Sequence, residues 1–161
     1  MHLNLTPDST LTLPGLRPRA NGKPSMAFTS VQKIRFDDVD GAGIVYYPQY
    51  FHLCHKAFED FFDASENFSY PGLINELRRG FPTVAIQSEF TAPLRYGDIA
   101  TVSITLKKIG RSSASLSYEI RRKKDAVLCF SACITLVFMD LDSHNVLPIP
   151  DDMRNLFESI A

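Results

Sequence analysis

Three carboxylates, Asp37, Asp38 and Asp40, fall within four residues, and Gly41 and Gly43 follow them directly before a proline at position 48. That spacing can do chemistry. A carboxylate can attack an electrophilic carbon or take a proton from water. Aspartate ordinarily titrates near ~3.9, so it is ionised at neutral pH. Glycine admits positive φ and lets a ligand approach the backbone closely. A helix that starts near Pro48 presents amides without intrahelical acceptors and the positive end of its dipole. Together these parts form an anionic group facing a ready-made oxyanion site. The same residues also describe an ordinary acidic surface turn with an aspartate capping a helix. Residue types alone leave both readings open.

The elements that must position this run follow from its flanks. Phe28, Val31, Ile34 and Phe36 predict a strand before it. After Pro48, well placed in a first helical turn, apolar residues fall at Tyr50, Phe51, Leu53, Cys54, Ala57, Phe58, Phe61 and Phe62. Polar residues occupy the other side, so a 3.6-residue period with a wide apolar face predicts a long helix. A shorter helix is expected over 71–79, capped by Gly80. The period then changes to two: Val84, Ile86 and Phe90; Val102, Ile104 and Leu106; Leu116, Tyr118 and Ile120. These predict antiparallel strands buried on one face. The stretch 127–139 is apolar at nearly every position, as a strand covered on both sides would be. Pro93 to Asp98 and Arg122 to Asp125 read as turns. Met153, Leu156, Phe157 and Ile160 predict a closing amphipathic helix. The layout is α+β, with a sheet of about five strands that must curl around the long helix to cover it.

The chain has 161 residues, room for one domain, and a formal net charge of -1 at pH 7, without the basic excess expected of a nucleic-acid binder or of a protein drawn to an anionic membrane. No apolar run reaches the roughly 18 residues of a membrane span. The start, MHLNLTPDST, lacks the basic and apolar segments of a secretory signal. Cys54, Cys129 and Cys133 are an odd, small set that suits reduced thiols. These features predict a cytoplasmic location. Residues 1–26, rich in proline and without sustained periodicity, predict a flexible tail, and residues 27–161 the folded domain.

The run Asp38-Val39-Asp40-Gly41-Ala42-Gly43-Ile44-Val45-Tyr46-Tyr47-Pro48 resembles the D-x-D-x-x-G-[IV]-V signature of the 4-hydroxybenzoyl-CoA thioesterase family. Phe90 to Asp98 resembles that family's strand followed by a P-x-x-x-G-D turn, at matching spacing. The resemblance covers roughly residues 27–140. It implies a hotdog fold, homodimers often paired into homotetramers, and active sites at the subunit interface. It implies hydrolysis of an acyl-CoA or aroyl-CoA thioester, with no cofactor beyond the coenzyme A of the substrate and no metal. Asp40 takes the catalytic position, as nucleophile or general base, and the backbone N–H of Tyr47 polarises the thioester carbonyl. Gly41 and Gly43 give the thioester room. A thiol leaving group titrates near ~8.5 and departs without a strong acid.

Where 4-hydroxybenzoyl-type enzymes carry a carboxylate further along the helix, this chain has His55, whose neutral imidazole can bond a hydroxyl. Arg111 and Ser112 fall where the family's contacts to the CoA phosphates cluster. His52, Cys54 and His55 point to different sides of a helix and do not converge as metal ligands would. The alternative of a different class is a non-catalytic module that binds acyl-CoA or an acyl carrier protein on the same scaffold.

Overall fold

A computed structural model describes residues 26–161. Apart from Met26, the expected tail lies outside the described residues. The chain forms β1 (Phe28–Lys33), a 3-10 turn at Phe36–Asp38, α1 (Tyr47–Asp63), α2 (Tyr70–Asn75), β2 (Arg79–Gly80), β3 (Thr83–Phe90), β4 (Ile99–Ile109), β5 (Ser113–Arg122), β6 (Leu128–Val137), β7 (Met139–Asp140) and α3 (Asp151–Glu158). Five strands make one antiparallel sheet in the order β1-β4-β5-β6-β3, and β2 pairs with β7. Among the described residues no helix is long and apolar enough to cross a membrane.

α1 forms where its period predicts. Seven of its eight apolar residues are buried, and Phe51 is half-buried. The sheet covers them with Val102, Ile104, Leu116, Ile120 and Phe130, all fully buried. With no Trp in the chain and Phe at 12 residues, phenylalanine fills the core. Phe62 is the hub: its ring meets those of Phe58, Phe61, Phe68, Tyr70, Phe81 and Phe157 at centroid distances of 5.0–6.1 Å. Such tilted and edge-on pairs add to the burial of large apolar area. α3 closes the end of the layer with Met153 and Phe157 buried.

Four expectations change. β1 stops at Lys33, and Phe36 stands exposed in the 3-10 turn rather than continuing a strand. α2 is shorter than 71–79 and starts from Ser69, whose hydroxyl accepts from the Gly72 amide. Gly80 is not its cap; it lies in β2, where an added Cβ would meet Leu141 at 2.9 Å, so it serves close packing. β6 buries one face and half-exposes the other, because among the described residues nothing covers the outer side of the sheet.

β3 is exposed along its whole length, including Val84 at 58%, Ile86 at 45% and Phe90 at 51%. It is the sheet's edge strand, and α1 reaches it through the rings of Tyr50 and Phe51 against Phe90 without burying it. Period-two patterning identifies an apolar face without saying what covers it.

Phe62→Ala removes the hub and leaves a cavity that packed rings cannot fill. The expected loss is about 3–5 kcal/mol, read as a fall in urea midpoint at unchanged slope.

Candidate active site

The acidic run folds into a small hairpin, and each carboxylate has a different part. Val39 bridges Val45, the Tyr46 amide donates to the Asp38 carbonyl at 2.9 Å, and the Asp40 amide donates to Ile44 at 3.0 Å. The Gly43 amide returns to the Asp40 carbonyl at 2.9 Å, and Gly43 takes φ +73, the left-handed residue that closes such a turn. Gly43 therefore needs to be glycine for its backbone; Gly41 does not take positive φ, but a Cβ there would meet nothing within 4 Å, so the turn is open above it. The Asp38 side chain is buried and accepts from the Arg35 amide at 2.7 Å, a structural brace. Asp37 is exposed. Asp40 is exposed too. Its Oδ1 accepts from the Ala42 amide at 2.8 Å, which orients the carboxylate and leaves Oδ2 unengaged among the described residues.

The hairpin delivers the chain into α1. Tyr47 is the first helical residue, and among the described residues its N–H has no acceptor, as expected in a first turn. Its ring is exposed and packs edge-on against Tyr46.

A buried brace fixes the hairpin and the helix together. The Leu94 carbonyl accepts from the Val45 amide at 2.9 Å, and the Leu94 amide donates to the Tyr50 hydroxyl at 3.1 Å. Burial pushes the Tyr50 phenol up, while its bond with Leu94 pulls the other way. The Pro93–Asp98 turn that carries Leu94 holds itself with the Asp98 carboxylate on the Arg95 amide and with Gly97 at φ +87.

Below this end of α1, Phe51, Phe90 and Phe130 form an aromatic wall with Tyr50, centroids 5.0–6.4 Å apart. Beyond it opens a cavity of about 360 Å³, lined by Cys54, His55 and Phe58 of α1, Tyr70 of α2, Ile86 of β3 and Tyr118 of β5. Its volume suits a small-molecule group. Tyr47 to His55 spans eight residues, about 12 Å along the helix axis. His55 lies at the cavity's rim, half-exposed, with Nε2 3.0 Å from Glu59. Cys54 is buried there, and burial pushes its thiol up to about 12, so it is not a thiolate nucleophile at neutral pH. A second cavity of about 410 Å³ lies between α2, Leu147 and α3, and none of the sequence-predicted site residues lines it.

Arg111 and Ser112 are not brought to Asp40 within one chain. They form the β4–β5 turn, with Gly110 and Ser113 paired across it, whereas Asp40 is tied to the other end of β4. Ten residue steps at about 3.3 Å put the two ends roughly 33 Å apart. Basic residues at the Asp40 end include Arg35 and Arg95, and the β5–β6 hairpin adds more. There Arg122 bonds Asp125 and the Pro93 carbonyl, and Lys124 stands 3.3 Å from Asp98. Cys54 is buried, away from His52 and His55, which are exposed and three residues apart on the outer side of α1.

Sequence reasoning missed the Leu94–Tyr50 brace and, of the cavity's polar groups, found His55 but not Tyr70 or Tyr118. Tyr50 in its helical period and Tyr118 in its strand alternation look like any core aromatic, and Leu94 sits in a turn whose glycine and proline attract the eye first.

One helix wrapped by a curled antiparallel sheet, with an aspartate turn at the helix start, defines a hotdog domain of thioester-hydrolysing type. The thioesterase-like superfamily model matches residues 34–157, and the chain belongs to that family; it is a thioester hydrolase. It is 28% identical over 134 residues to 1,4-dihydroxy-2-naphthoyl-CoA hydrolase of Nostoc punctiforme, covering 83% of this chain and 88% of that one. Among solved structures it is similar to a 1,4-dihydroxy-2-naphthoyl-CoA thioesterase from Synechocystis, with TM-score 0.74 and 27% identity over 81% of this chain and 95% of that one. It is equally similar, at TM-score 0.74 and 26% identity over 81% of this chain and 98% of the other, to an aspartate-to-asparagine mutant of 4-hydroxybenzoyl-CoA thioesterase complexed with 4-hydroxybenzoyl-CoA.

Tyr50→Phe keeps the ring but strands the buried Leu94 amide, at an expected cost of about 1–3 kcal/mol in denaturant unfolding. Hydrolysis should fall with it, because the hairpin and helix start lose their shared anchor. Cys54→Ala should keep the wild-type pH profile between pH 6 and 9, since a thiol at about 12 does not titrate there.

Proposed function

We propose that the chain hydrolyses aroyl-CoA thioesters, with Asp40 as the catalytic carboxylate and the Tyr47 amide as the group that polarises the carbonyl. The observation that carries this is the pairing of a half-engaged carboxylate with an acceptor-free helix-start amide on one braced hairpin. The thioester oxygen takes a hydrogen bond from Tyr47, and the α1 dipole favours the negative charge that develops on it. The open space over Gly41 and Gly43 admits the thioester.

Asp40 acts in one of two balanced ways. Its oxygen adds to the carbonyl carbon, the C–S bond breaks, CoA leaves as thiolate, and water hydrolyses the mixed anhydride. Otherwise Asp40 takes a proton from water as the water oxygen adds and the same C–S bond breaks. A single turnover in heavy-oxygen water separates them by whether label enters the aspartate. The aromatic preference rests on the phenylalanine wall and on the aroyl-CoA substrates named for the relatives.

The working unit in this proposal is a homodimer, or a homotetramer built from it. Three features support it: the apolar edge strand β3, the exposure of Asp40 in one chain, and the distance of Arg111 and Ser112 from Asp40. A second chain places its own β4–β5 turn to meet CoA phosphates, with Arg111 and Ser112 as donors. His55 contributes at the rim of the acyl cavity. The reaction needs no resident cofactor, and the assignment places the protein in the cytoplasm, where acyl-CoA substrates are available.

Asp40→Asn should lower thiol release from a panel of aroyl- and acyl-CoAs by at least about a hundredfold, with the thermal melt and substrate affinity retained. A folded Asn variant that turns over at the wild-type rate rules out the assignment. A wild-type protein that binds the panel without releasing thiol marks a binding module instead.

A further inference from the structure

The aroyl cavity carries a polar group that the hydrolytic chemistry does not use. Tyr118 lies on β5 between Ile104 of β4 and Ala132 of β6, and it is only 2% exposed. Among the described residues its phenolic oxygen has no hydrogen-bond partner. Yet it is not sealed away: the one buried, unsatisfied side-chain oxygen or nitrogen among those residues is Gln32 Oε1. The Tyr118 oxygen therefore meets open space, and the open space it lines is the cavity beside Cys54, His55 and Tyr70. A hydroxyl held at the wall of an apolar cavity without a partner is costly unless something bonds it.

We infer that Tyr118 is a specificity-determining residue whose hydroxyl hydrogen-bonds a ring hydroxyl of the bound aroyl group, so that the cavity selects hydroxylated aroyl thioesters over unsubstituted ones. The inference rests on the aroyl-CoA reading above and sharpens it. The geometry suits the role. The cavity is apolar on most sides, so a flat ring fills it, and the wall of Phe51 and Phe90 leads into it from the helix start. Cys54 offers a poor competing partner, since sulfur is a weak acceptor and donor. Burial, with Cys54 and Tyr70 nearby, pushes the Tyr118 phenol well above the ordinary tyrosine range. It stays protonated throughout the working pH range and keeps both a donor and an acceptor for the ligand. A site that hydrogen-bonds a substrate hydroxyl discriminates against the analogue that lacks it, because its own polar group is then left unpaired.

The test compares kcat/KM for two pairs, 4-hydroxybenzoyl-CoA with benzoyl-CoA and 4-hydroxy-2-naphthoyl-CoA with 2-naphthoyl-CoA, in wild type and Tyr118→Phe. Wild type should prefer the hydroxylated member of at least one pair. Tyr118→Phe should cut that preference about tenfold, the worth of one net hydrogen bond, because the hydroxylated member loses its bond and the unsubstituted one no longer strands a hydroxyl. Its melting temperature should hold or rise, because the lost hydroxyl has no partner among the described residues; a merely structural tyrosine would lower it. A Tyr118→Phe enzyme that keeps the full preference, or a wild type that shows none while hydrolysing both members, overturns the role of Tyr118 and leaves aroyl-CoA hydrolysis standing. A wild type that hydrolyses aliphatic but no aromatic thioesters overturns the aroyl reading and this inference with it.

Discussion

The peptide of Leu94 is the point on which the site depends. It lies wholly buried in a turn between β3 and β4, and both its polar groups are spoken for: the carbonyl by Val45 at the end of the aspartate hairpin, the amide by Tyr50 one turn into α1. An unpaired backbone group at that depth would cost as much as a lost hydrogen bond. The sheet thus grips the hairpin and the helix through one residue. The same turn holds the edge of β1, since Ile34 donates to Asp98 and Gly97 donates back to Ile34. What sits on the hairpin, the Asp40 carboxylate, and what sits on the helix, the Tyr47 amide, therefore share one rigid reference.

Much of this was legible before any coordinates. The long helix is visible because eight apolar residues at helical spacing leave no other period available, and seven of them are buried. Strands β4 and β5 are visible because alternation is strict and the polar partners are small. The illegible parts have physical causes. Phe36 reads as a strand residue by hydrophobicity, but Asp38 caps back onto the Arg35 amide and turns the chain away. Gly80 reads as a helix cap, yet it lies in β2 close against Leu141, where an added Cβ would have to push that side chain aside. β3 reads as half-buried because its pattern records an apolar face and cannot record whether this chain or another covers it.

The candidate site divides along the same line. Asp40 and Tyr47 are seven residues apart and joined by one hairpin, so a local run of residues specifies them and a resemblance can carry them. The cavity is different. Cys54 and His55, Tyr70, Ile86 and Tyr118 come from α1, α2, β3 and β5, and only the register of the sheet makes them neighbours. In sequence Tyr118 is one more inward residue of β5. Its significance appears when the bonds among the described residues are traced and its hydroxyl is left over.

The two functions also need opposite surroundings, and α1 supplies both. An ionised carboxylate is expensive to bury, and Asp40 stands on an open turn where water can reach it. In the proposed reaction the acyl group needs the reverse, an apolar hollow, and one lies one to two turns down the helix beyond the phenylalanine wall. Burial that raises the Cys54 thiol to about 12 shows how that hollow treats an acid: it keeps it neutral. A nucleophile placed there would be silenced, and an acyl group placed at the open turn would gain nothing from burial. Separating them along the axis of a single helix, at 1.5 Å per residue, is the arrangement that satisfies both demands.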